Sequence, residues 1–297
     1  MKQLKKPAWG GRGKGYSWYL TILFFLALFL AAQLAESVVI VGVDLLRALL
    51  GRGNSADLSM VTALFATAIG TGSALLFCYL AEGRYPQDLG LSPRRAGAEY
   101  LVGIPIGLAL FSAAIGMAAG IGAVRILPAD TVNVPLLCLY GVGFLIQGMS
   151  EEVLCRGVLM GSLLRRCPIW VSVVTNSAVF SLLHLANNGV APLALLNVFL
   201  FGVLASLYVI RRGSLWGACA IHSVWNFAQG NLFGASVSGN STGPSPLNTE
   251  QIAEKALWNG GAFGPEGGLC VTAVLLIGIA VLLFLVPNAK RAEDQID

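Results

Sequence analysis

Long apolar runs separated by short polar connectors dominate the chain. Runs of roughly 20 residues match the thickness of the hydrocarbon core of a bilayer. They lack the strict alternation of outer-membrane β-strands, so helices are expected to span the membrane. The pattern predicts an all-α polytopic membrane helix bundle with about eight transmembrane helices. The predicted spans are residues 18–43, 58–80, 100–121, 134–164, 168–185, 193–210, 215–233 and 269–286.

The connectors divide the chain into consecutive parts. These are a basic cytoplasmic tail (1–15), N-terminal transmembrane helices (16–132), a central block of core helices (133–233), an extramembrane loop (234–266), and a last transmembrane helix with a charged tail (267–297). The Gly, Ser, Pro and Asn content of 234–266 favours a solvated linker, with a lid or a substrate contact as the alternative. The span at 134–164 is longer than a bilayer requires, which predicts a tilt or a break.

Basic residues concentrate at alternate connectors. One set holds the amino-terminal tail and positions 84, 94, 95, 165, 166, 211, 212, 290 and 291, whereas the other holds only 47, 52, 125 and 255. The positive-inside rule then places both termini in the cytoplasm. Topology accounts for these charges, so the net charge of +4 does not indicate a nucleic-acid partner. Membrane lipids are the expected surroundings.

Composition supports the membrane assignment. Hydrophobic residues make up 56% of the chain and charged residues 11%, whereas a soluble domain carries roughly a quarter charged residues. The six cysteines lie in or beside apolar segments, without a Cys-x-x-Cys pair. They are expected to be small buried residues rather than disulfides or metal ligands. Cys155, beside Arg156, is the one thiol whose setting can activate a nucleophile, although burial is favoured there too.

Two adjacent carboxylates and a guanidinium interrupt an apolar segment at Glu151, Glu152 and Arg156. Ionisable residues at membrane depth are costly and indicate a functional site by default. Glu152 and Arg156 are four residues apart, so they share a helix face and are expected to pair. Glu151 points about 100° away and is left to face a cavity, where a carboxylate suits general-base chemistry. The alternative is a buried salt bridge that only fixes helix packing.

Both histidines of the chain lie in predicted spans. His184 closes the sequence Phe180-Ser-Leu-Leu-His184, and Asn226 follows His222 by one helical turn on the same face. Imidazole suits proton transfer, water positioning or metal ligation. Either histidine alone is more typical of a hydrogen-bonded packing residue. Together with Asn226 and the paired glutamates, they indicate one site.

Three motifs on successive hydrophobic segments resemble the signature of the CAAX protease and bacteriocin-processing (CPBP) family of intramembrane proteases. They are, in chain order, Glu151-Glu152-x-x-x-Arg156, Phe180-x-x-x-His184 and His222-x-x-x-Asn226. The family includes the type II CAAX prenyl endopeptidases and bacterial relatives linked to bacteriocin self-immunity. The resemblance covers residues 133–232, whereas 1–80 and 234–297 match only as generic spans and loops.

The resemblance implies an intramembrane endopeptidase that hydrolyses a peptide bond in a membrane-associated or lipidated peptide or protein. A bacterial cell membrane is the expected location. Prenylated CaaX proteins are the substrates of the eukaryotic relatives, and maturation of a bacteriocin or a peptide pheromone is an equally good expectation here. The substrate and its cleavage site do not follow from the sequence.

The resemblance also implies a role for each matching residue. By position, Glu151 and His184 would activate the attacking water. His222 and Asn226 would position the scissile carbonyl and stabilise the oxyanion, as preorganised donors do in other enzymes. The supporting residues would be Glu152, Arg156 and Phe180.

This mechanism needs no cofactor, but a catalytic zinc ion is the alternative. Glu151, His184 and His222 would provide the His₂Glu ligand set of such a site. The three residues come from three helices without a His-Glu-x-x-His motif, so their spacing does not decide between the two mechanisms. We favour the metal-free one.

Two other classes of protein would also carry these residues. One is a non-proteolytic bacteriocin-immunity or binding protein, and the other is a proton-coupled transporter that uses the buried glutamates as a relay. Counting residues from the preceding basic connectors places His184 about 12 Å deeper than His222 along the membrane normal. The sequence therefore does not assign the face at which the cavity opens.

Overall fold

The computed structural model describes residues 4–11, 15–53 and 55–288. Its helices are α1 Trp18–Leu49, α2 Ala56–Ala66, α3 Ala68–Phe77, α4 Ala96–Gly120, α5 Val134–Glu152, α6 Gly161–Leu163, α7 Ile169–Leu182, α8 Pro192–Arg212, α9 Trp216–Phe227, α10 Ala256–Asn259 and α11 Leu269–Phe284. Two short strands, β1 Val124–Pro128 and β2 Leu247–Gln251, pair antiparallel. The basic positions Lys2, Arg12, Lys14, Lys290 and Arg291, used in the topology prediction, lie outside the described residues.

Every predicted span contains a helix. Within the described residues, five stretches are long and apolar enough to cross a bilayer: Trp18–Leu49, Ala56–Glu82, Pro93–Gly120, Val134–Leu163 and Pro192–Arg212. The helices α7, α9 and α11 are shorter, with 14, 12 and 16 residues. The prediction of a polytopic membrane helix bundle is confirmed.

The long fourth span changes its helical register directly after the paired glutamates. α5 ends at Glu152, and the eight-residue π-helical segment Val153–Met160 leads into α6. π-Helical turns are rare and frequently occur at functional sites. All eight residues of this segment are buried, so the irregular backbone is covered by protein, as membrane depth requires. The span predicted to tilt or break is therefore one continuous helix with a π-helical segment inside it.

Helix α9, which carries the second histidine, packs directly on α4. Two glycines one turn apart on α4 allow the contact. A Cβ atom on Gly103 would lie 2.4 Å from the carbonyl oxygen of Gly217, and one on Gly107 would lie 2.5 Å from that of Ile221. Small residues let membrane helices approach closely, because their association depends on van der Waals packing. Backbone contact therefore fixes the position of α9.

The connectors predicted for one side of the membrane meet at one end of the bundle. The indole of Trp9 donates to the carbonyl of Gly213 at 3.1 Å, and Arg166 donates to that of Gly15 at 2.8 Å. Backbone hydrogen bonds join the same connectors, with Leu215 donating to the carbonyl of residue 90 at 2.9 Å. These contacts agree with the predicted grouping of the connectors. That this end faces the cytoplasm stays a prediction.

A buried charge cluster braces that end of the bundle. Arg84 pairs with Glu82 at 2.9 Å, and Arg165 reaches the same carboxylate at 2.6 Å. Ser162 donates to Glu82 at 2.8 Å, and Arg84 donates to the carbonyl of Gly157 at 3.1 Å. Charges removed from water persist when they are paired and hydrogen-bonded in this way. The cluster ties the connector after α3 to the end of the fourth span.

The opposite end is covered by the segment between α9 and α11. β2 pairs along its whole length with β1, from Leu247 opposite Pro128 to Gln251 opposite Val124. The amide of Asn259 donates to the carbonyls of Ala123 and Ile252, both at 2.8 Å. The segment 234–266 is thus folded onto the helices.

Candidate active site

A cavity of about 300 Å³ lies among α1, α2, α5, α7, α8, α9 and α11. The structure brings the four residues predicted to act on substrate to this one cavity: Glu151, His184, His222 and Asn226. Phe180 and Phe201 supply aromatic walls beside them. A cavity of this kind, mostly apolar with a few convergent polar groups, is typical of a substrate site.

Glu152 lies behind the cavity and connects two predicted site residues. Its side chain is fully buried, and its Oε1 lies 2.9 Å from Nη1 of Arg156 and 2.9 Å from Nδ1 of His222. The Arg156 guanidinium also stacks on the ring of Phe180, 4.4 Å from its centroid. Because the paired carboxylate is the acceptor, the His222 Nδ1–H donates to it. Glu152 therefore orients His222 in addition to pairing with Arg156.

Glu151 faces the cavity, as the helix geometry predicts. Its side chain is 30% exposed, in contrast to Glu152. Its Oε2 lies 3.6 Å from Nε2 of His222, and its Oε1 accepts a 2.5 Å hydrogen bond from Gln147. The Oε1 of Gln147 accepts in turn from Nδ2 of Asn226 at 3.0 Å. A chain of hydrogen bonds from Asn226 through Gln147 thus holds Oε1 of Glu151. The other carboxylate oxygen, Oε2, lies beside the imidazole of His222.

His184 lies in the turn after α7 rather than in the helix. Its Nδ1 is 2.8 Å from the carbonyl oxygen of Phe180, and its ring contacts the Phe180 ring at a centroid distance of 4.9 Å. Donation of Nδ1–H to that carbonyl leaves Nε2 as an acceptor. Among the described contacts, Glu151 is near His222 and makes no hydrogen bond to His184. The shared role of Glu151 and His184 in activating water stays a prediction.

The structure brings the two histidines to one cavity, although residue counting expects them at different depths. Both rings contact Phe180, with centroid distances of 4.9 Å for His184 and 6.1 Å for His222. The count assumed a regular helix up to His184. α7 instead spans only Ile169–Leu182, and the chain turns before it reaches the histidine.

The geometry bears on the zinc alternative. Among the described residues, no three His, Cys, Asp or Glu side chains are close enough to hold one metal ion. Glu151 and His222 are close to each other, but His184 would have to move to complete a ligand set. The donors in this arrangement do not fit a catalytic zinc site.

Sequence reasoning missed several polar residues of the cavity, and two of them bear on the site. Gln147 precedes Glu151 by one helical turn, so its position on the same face was a usable signal. Glu36 is the second, and it comes from α1. Glu36 itself is 5% exposed, whereas only 17% of the residues in the most apolar stretch of its helix are buried. A lone carboxylate in an apolar run was its signal in the sequence. Cys155 is buried, as expected.

The segment 234–266 closes over the cavity. Its lining residues are Val237, Ser238, Asn240, Thr242 and Glu266. Ser238 adopts a left-handed φ of 48° at the tip of a tight hairpin. Glu266 holds this tip by accepting from the Ser238 backbone N–H at 2.8 Å and hydroxyl at 2.9 Å. These contacts fit a cover over the cavity and not the solvated linker favoured by composition.

The fold and the cavity together define a class of protein. It is a helical membrane protein with a carboxylate, two imidazoles and a carboxamide around one cavity. Residues 133–228 match the sequence model of the Rce1-like type II CAAX prenyl endopeptidase family. The matched segment begins directly before α5, ends just after α9, and contains every motif residue of the cavity. The predicted family resemblance is confirmed over this segment. The chain matches no curated protein.

Proposed function

We propose that the protein is an intramembrane endopeptidase that cleaves a peptide bond in a membrane-associated peptide or protein. The observation that carries the proposal is the cavity-facing carboxylate of Glu151, 3.6 Å from the His222 imidazole within the matched family segment. A general base has to reach the proton that it abstracts, and a cavity between helices gives a substrate access to both groups.

The reaction needs a proton acceptor and an oxyanion site. We propose that Glu151 takes a proton from water while the hydroxyl oxygen attacks the carbonyl carbon, with the acceptor Nε2 of His184 helping to orient that water. Glu151 then delivers the proton to the leaving amine as the C–N bond breaks. Each proton is accounted for without another reactant.

Asn226 and His222 are the proposed oxyanion donors. A carboxamide has two N–H donors, and one of those of Asn226 is bound to Gln147. The second is available to a substrate carbonyl. His222 keeps Nδ1–H on Glu152, so its Nε2 donates to the oxyanion when the ring is doubly protonated. Fixed donors of this type stabilise developing charge strongly in a water-poor site.

A metal-free mechanism predicts that chelation leaves the activity unchanged. Incubating the purified protein with a strong zinc chelator is expected to alter the hydrolysis rate by less than about twofold, because no step is routed through a metal. Elemental analysis of the same sample provides the control. Loss of activity on chelation, restored by added zinc, would instead establish the Glu151, His184 and His222 ligand set.

We also propose that the chain resides in a bacterial cell membrane with cytoplasmic termini. The support is the grouping of the basic connectors at one end of the bundle, which the positive-inside rule assigns to the cytoplasm. Its substrate would then be a membrane-associated or lipidated peptide or protein.

A membrane proteome comparison tests the proposed function. Cells with the wild-type chain are expected to contain cleaved peptides that are missing from cells with Glu151→Gln, whereas the uncleaved precursors accumulate. Equal expression of both chains in the membrane is the control. Unchanged peptide profiles in the variant would refute proteolysis, and bacteriocin immunity that survives the substitution would point to a binding protein.

A further inference from the structure

The cavity contains a carboxyl that the proposed mechanism does not use. Glu36 of α1 lines the same cavity as Glu151 and His222 and is 5% exposed. Its helix lies outside the matched family segment, which begins at residue 133. The residue therefore belongs to the part of the cavity wall that the shared protease motifs do not provide.

Close packing positions the Glu36 side chain. Gln33, one turn earlier, donates its amide N–H to Oε2 of Glu36 at 3.0 Å. On the neighbouring helix α3, Gly70 leaves room for the carboxylate, because a Cβ atom there would lie 3.2 Å from Glu36 Oε1 and 2.6 Å from Ser150 Oγ. Ser150 directly precedes Glu151. The carboxylate thus reaches the cavity beside the catalytic helix.

In the part of the chain that the structure describes, the carboxylates that line the cavity are not balanced by lysine or arginine side chains in its wall. Of the described residues that line it, three are glutamates, at positions 36, 151 and 266, and none is a lysine or an arginine. Glu266 is occupied by the Ser238 hairpin, and Glu151 by Gln147 and His222. Within the described structure, no lysine or arginine pairs with Glu36, whose hydrogen-bond partners are neutral: the amide of Gln33 and the backbone N–H of Gly70. A buried carboxylate is much more favourable when a cation pairs with it.

Apolar side chains of α1 and α2 contribute to the wall of the same cavity. They are Phe29 of α1 and Met60 and Leu64 of α2. An apolar wall that leads to one carboxylate fits a lysine side chain, whose methylene groups bury while the ammonium pairs. A guanidinium prefers two carboxylate oxygens at once, and Gln33 already occupies one of them. An ammonium, which acts as a point charge, fits better.

We propose that Glu36 determines substrate specificity by binding the ammonium group of a lysine side chain on the peptide substrate. The assignment rests on the proposed endopeptidase function and names its substrate class. Glu36 takes no part in bond cleavage. Its contribution is to hold the peptide so that the scissile bond lies near Glu151.

Kinetics on a fluorogenic peptide pool test the proposal. One position of the pool is fixed as lysine, as arginine or as norleucine, which has a similar length but no charge. Loss of a charge-assisted contact in Glu36→Gln is expected to lower kcat/KM for the lysine pool about 10- to 100-fold. The norleucine pool is expected to change less than about twofold, since it never makes the contact. Equal losses on both pools, or no loss on either, would overturn the proposal.

Asp44→Asn is the matched control. It removes a carboxylate from the same helix, but Asp44 pairs with Arg47 at 3.1 Å outside the cavity. The lysine preference is expected to persist in this variant. Gly70→Ala gives a second test, because its Cβ would crowd both Glu36 and Ser150. It should reduce the lysine preference while Gln33 and Glu36 are unchanged in sequence.

Peptide binding separates this proposal from the proposed protease function. The same pools, labelled with a dye, are titrated against wild type and Glu36→Gln by fluorescence polarisation. The lysine pool is expected to bind wild type about 10-fold more tightly than the norleucine pool, and the difference should vanish in the variant. If no pool is cleaved, the protease function fails while this measurement still decides the role of Glu36. Equal affinities for the two pools would refute that role.

Discussion

Glu151→Gln is expected to lower the rate of peptide hydrolysis by about 10²- to 10⁴-fold, the usual contribution of a general acid–base group. Glutamine keeps the size of the side chain and can still contact Gln147, but it accepts no proton from water. The measurement is the initial rate on a fluorogenic peptide pool with protein reconstituted in liposomes. Thermal unfolding of the same preparation checks that the fold is retained.

Two further variants make this result specific. Glu250→Gln makes the same chemical change on exposed β2, outside the cavity, and is expected to keep the wild-type rate. His184→Ala removes the second group proposed to orient the water and should also lower the rate. A folded Glu151→Gln protein that cleaves at the wild-type rate would show that another group is the base.

Arg156→Met is expected to lower the free energy of unfolding by about 3–5 kcal/mol, the usual cost of breaking a buried ion pair from one side. Methionine keeps most of the length and the apolar packing against Phe180. The carboxylate of Glu152 is fully buried, however, and loses the cation at 2.9 Å. Denaturant or thermal unfolding in detergent micelles measures the change.

The double variant Glu152→Gln with Arg156→Met separates charge from packing. Removing both charges is expected to restore part of the lost stability, because replacing a buried pair is often nearly neutral. The interaction energy follows from the four proteins of the cycle. Hydrolysis should nevertheless stay low in the double variant, since His222 loses the carboxylate that orients its ring. A single Arg156→Met variant as stable as wild type would rule out a bracing role for the pair.

The sequence predicted what depends on local pattern. Hydrophobic runs of membrane length gave the spans, because every backbone polar group in a bilayer has to be satisfied within a helix. The four-residue spacing of Glu152 and Arg156 predicted that they pair. Because Glu151 is one residue away on the same helix, it was predicted to point in another direction, towards a cavity. These features follow from the rotation of one helix and need no knowledge of the neighbouring helices.

Other features depend on how the helices are placed. The count of residues up to His184 assumed an unbroken helix, whereas α7 ends at Leu182. The contact of Glu152 with His222 joins residues 70 positions apart. It depends on the close approach of α5 and α9 at Gly148, where a Cβ atom would lie 2.8 Å from the backbone nitrogen of Ser223, and no spacing rule reveals this. The polar composition of 234–266 favoured a solvated linker. Its position over the cavity depends on contacts with distant parts of the chain, which composition does not predict.

The cavity wall is built from two parts of the chain, one inside the segment that matches the family model and one outside it. The groups proposed to act on the peptide bond come from α5, the turn after α7, and α9, within residues 133–228. Outside that segment, α1, α2, α11 and the covering segment 234–266 also line the cavity. Substitutions in those outer stretches would change which substrate fits the cavity without touching the groups proposed to cleave it. For the proposed endopeptidase, the fit of a substrate and the chemistry of cleavage are therefore set by different parts of the chain.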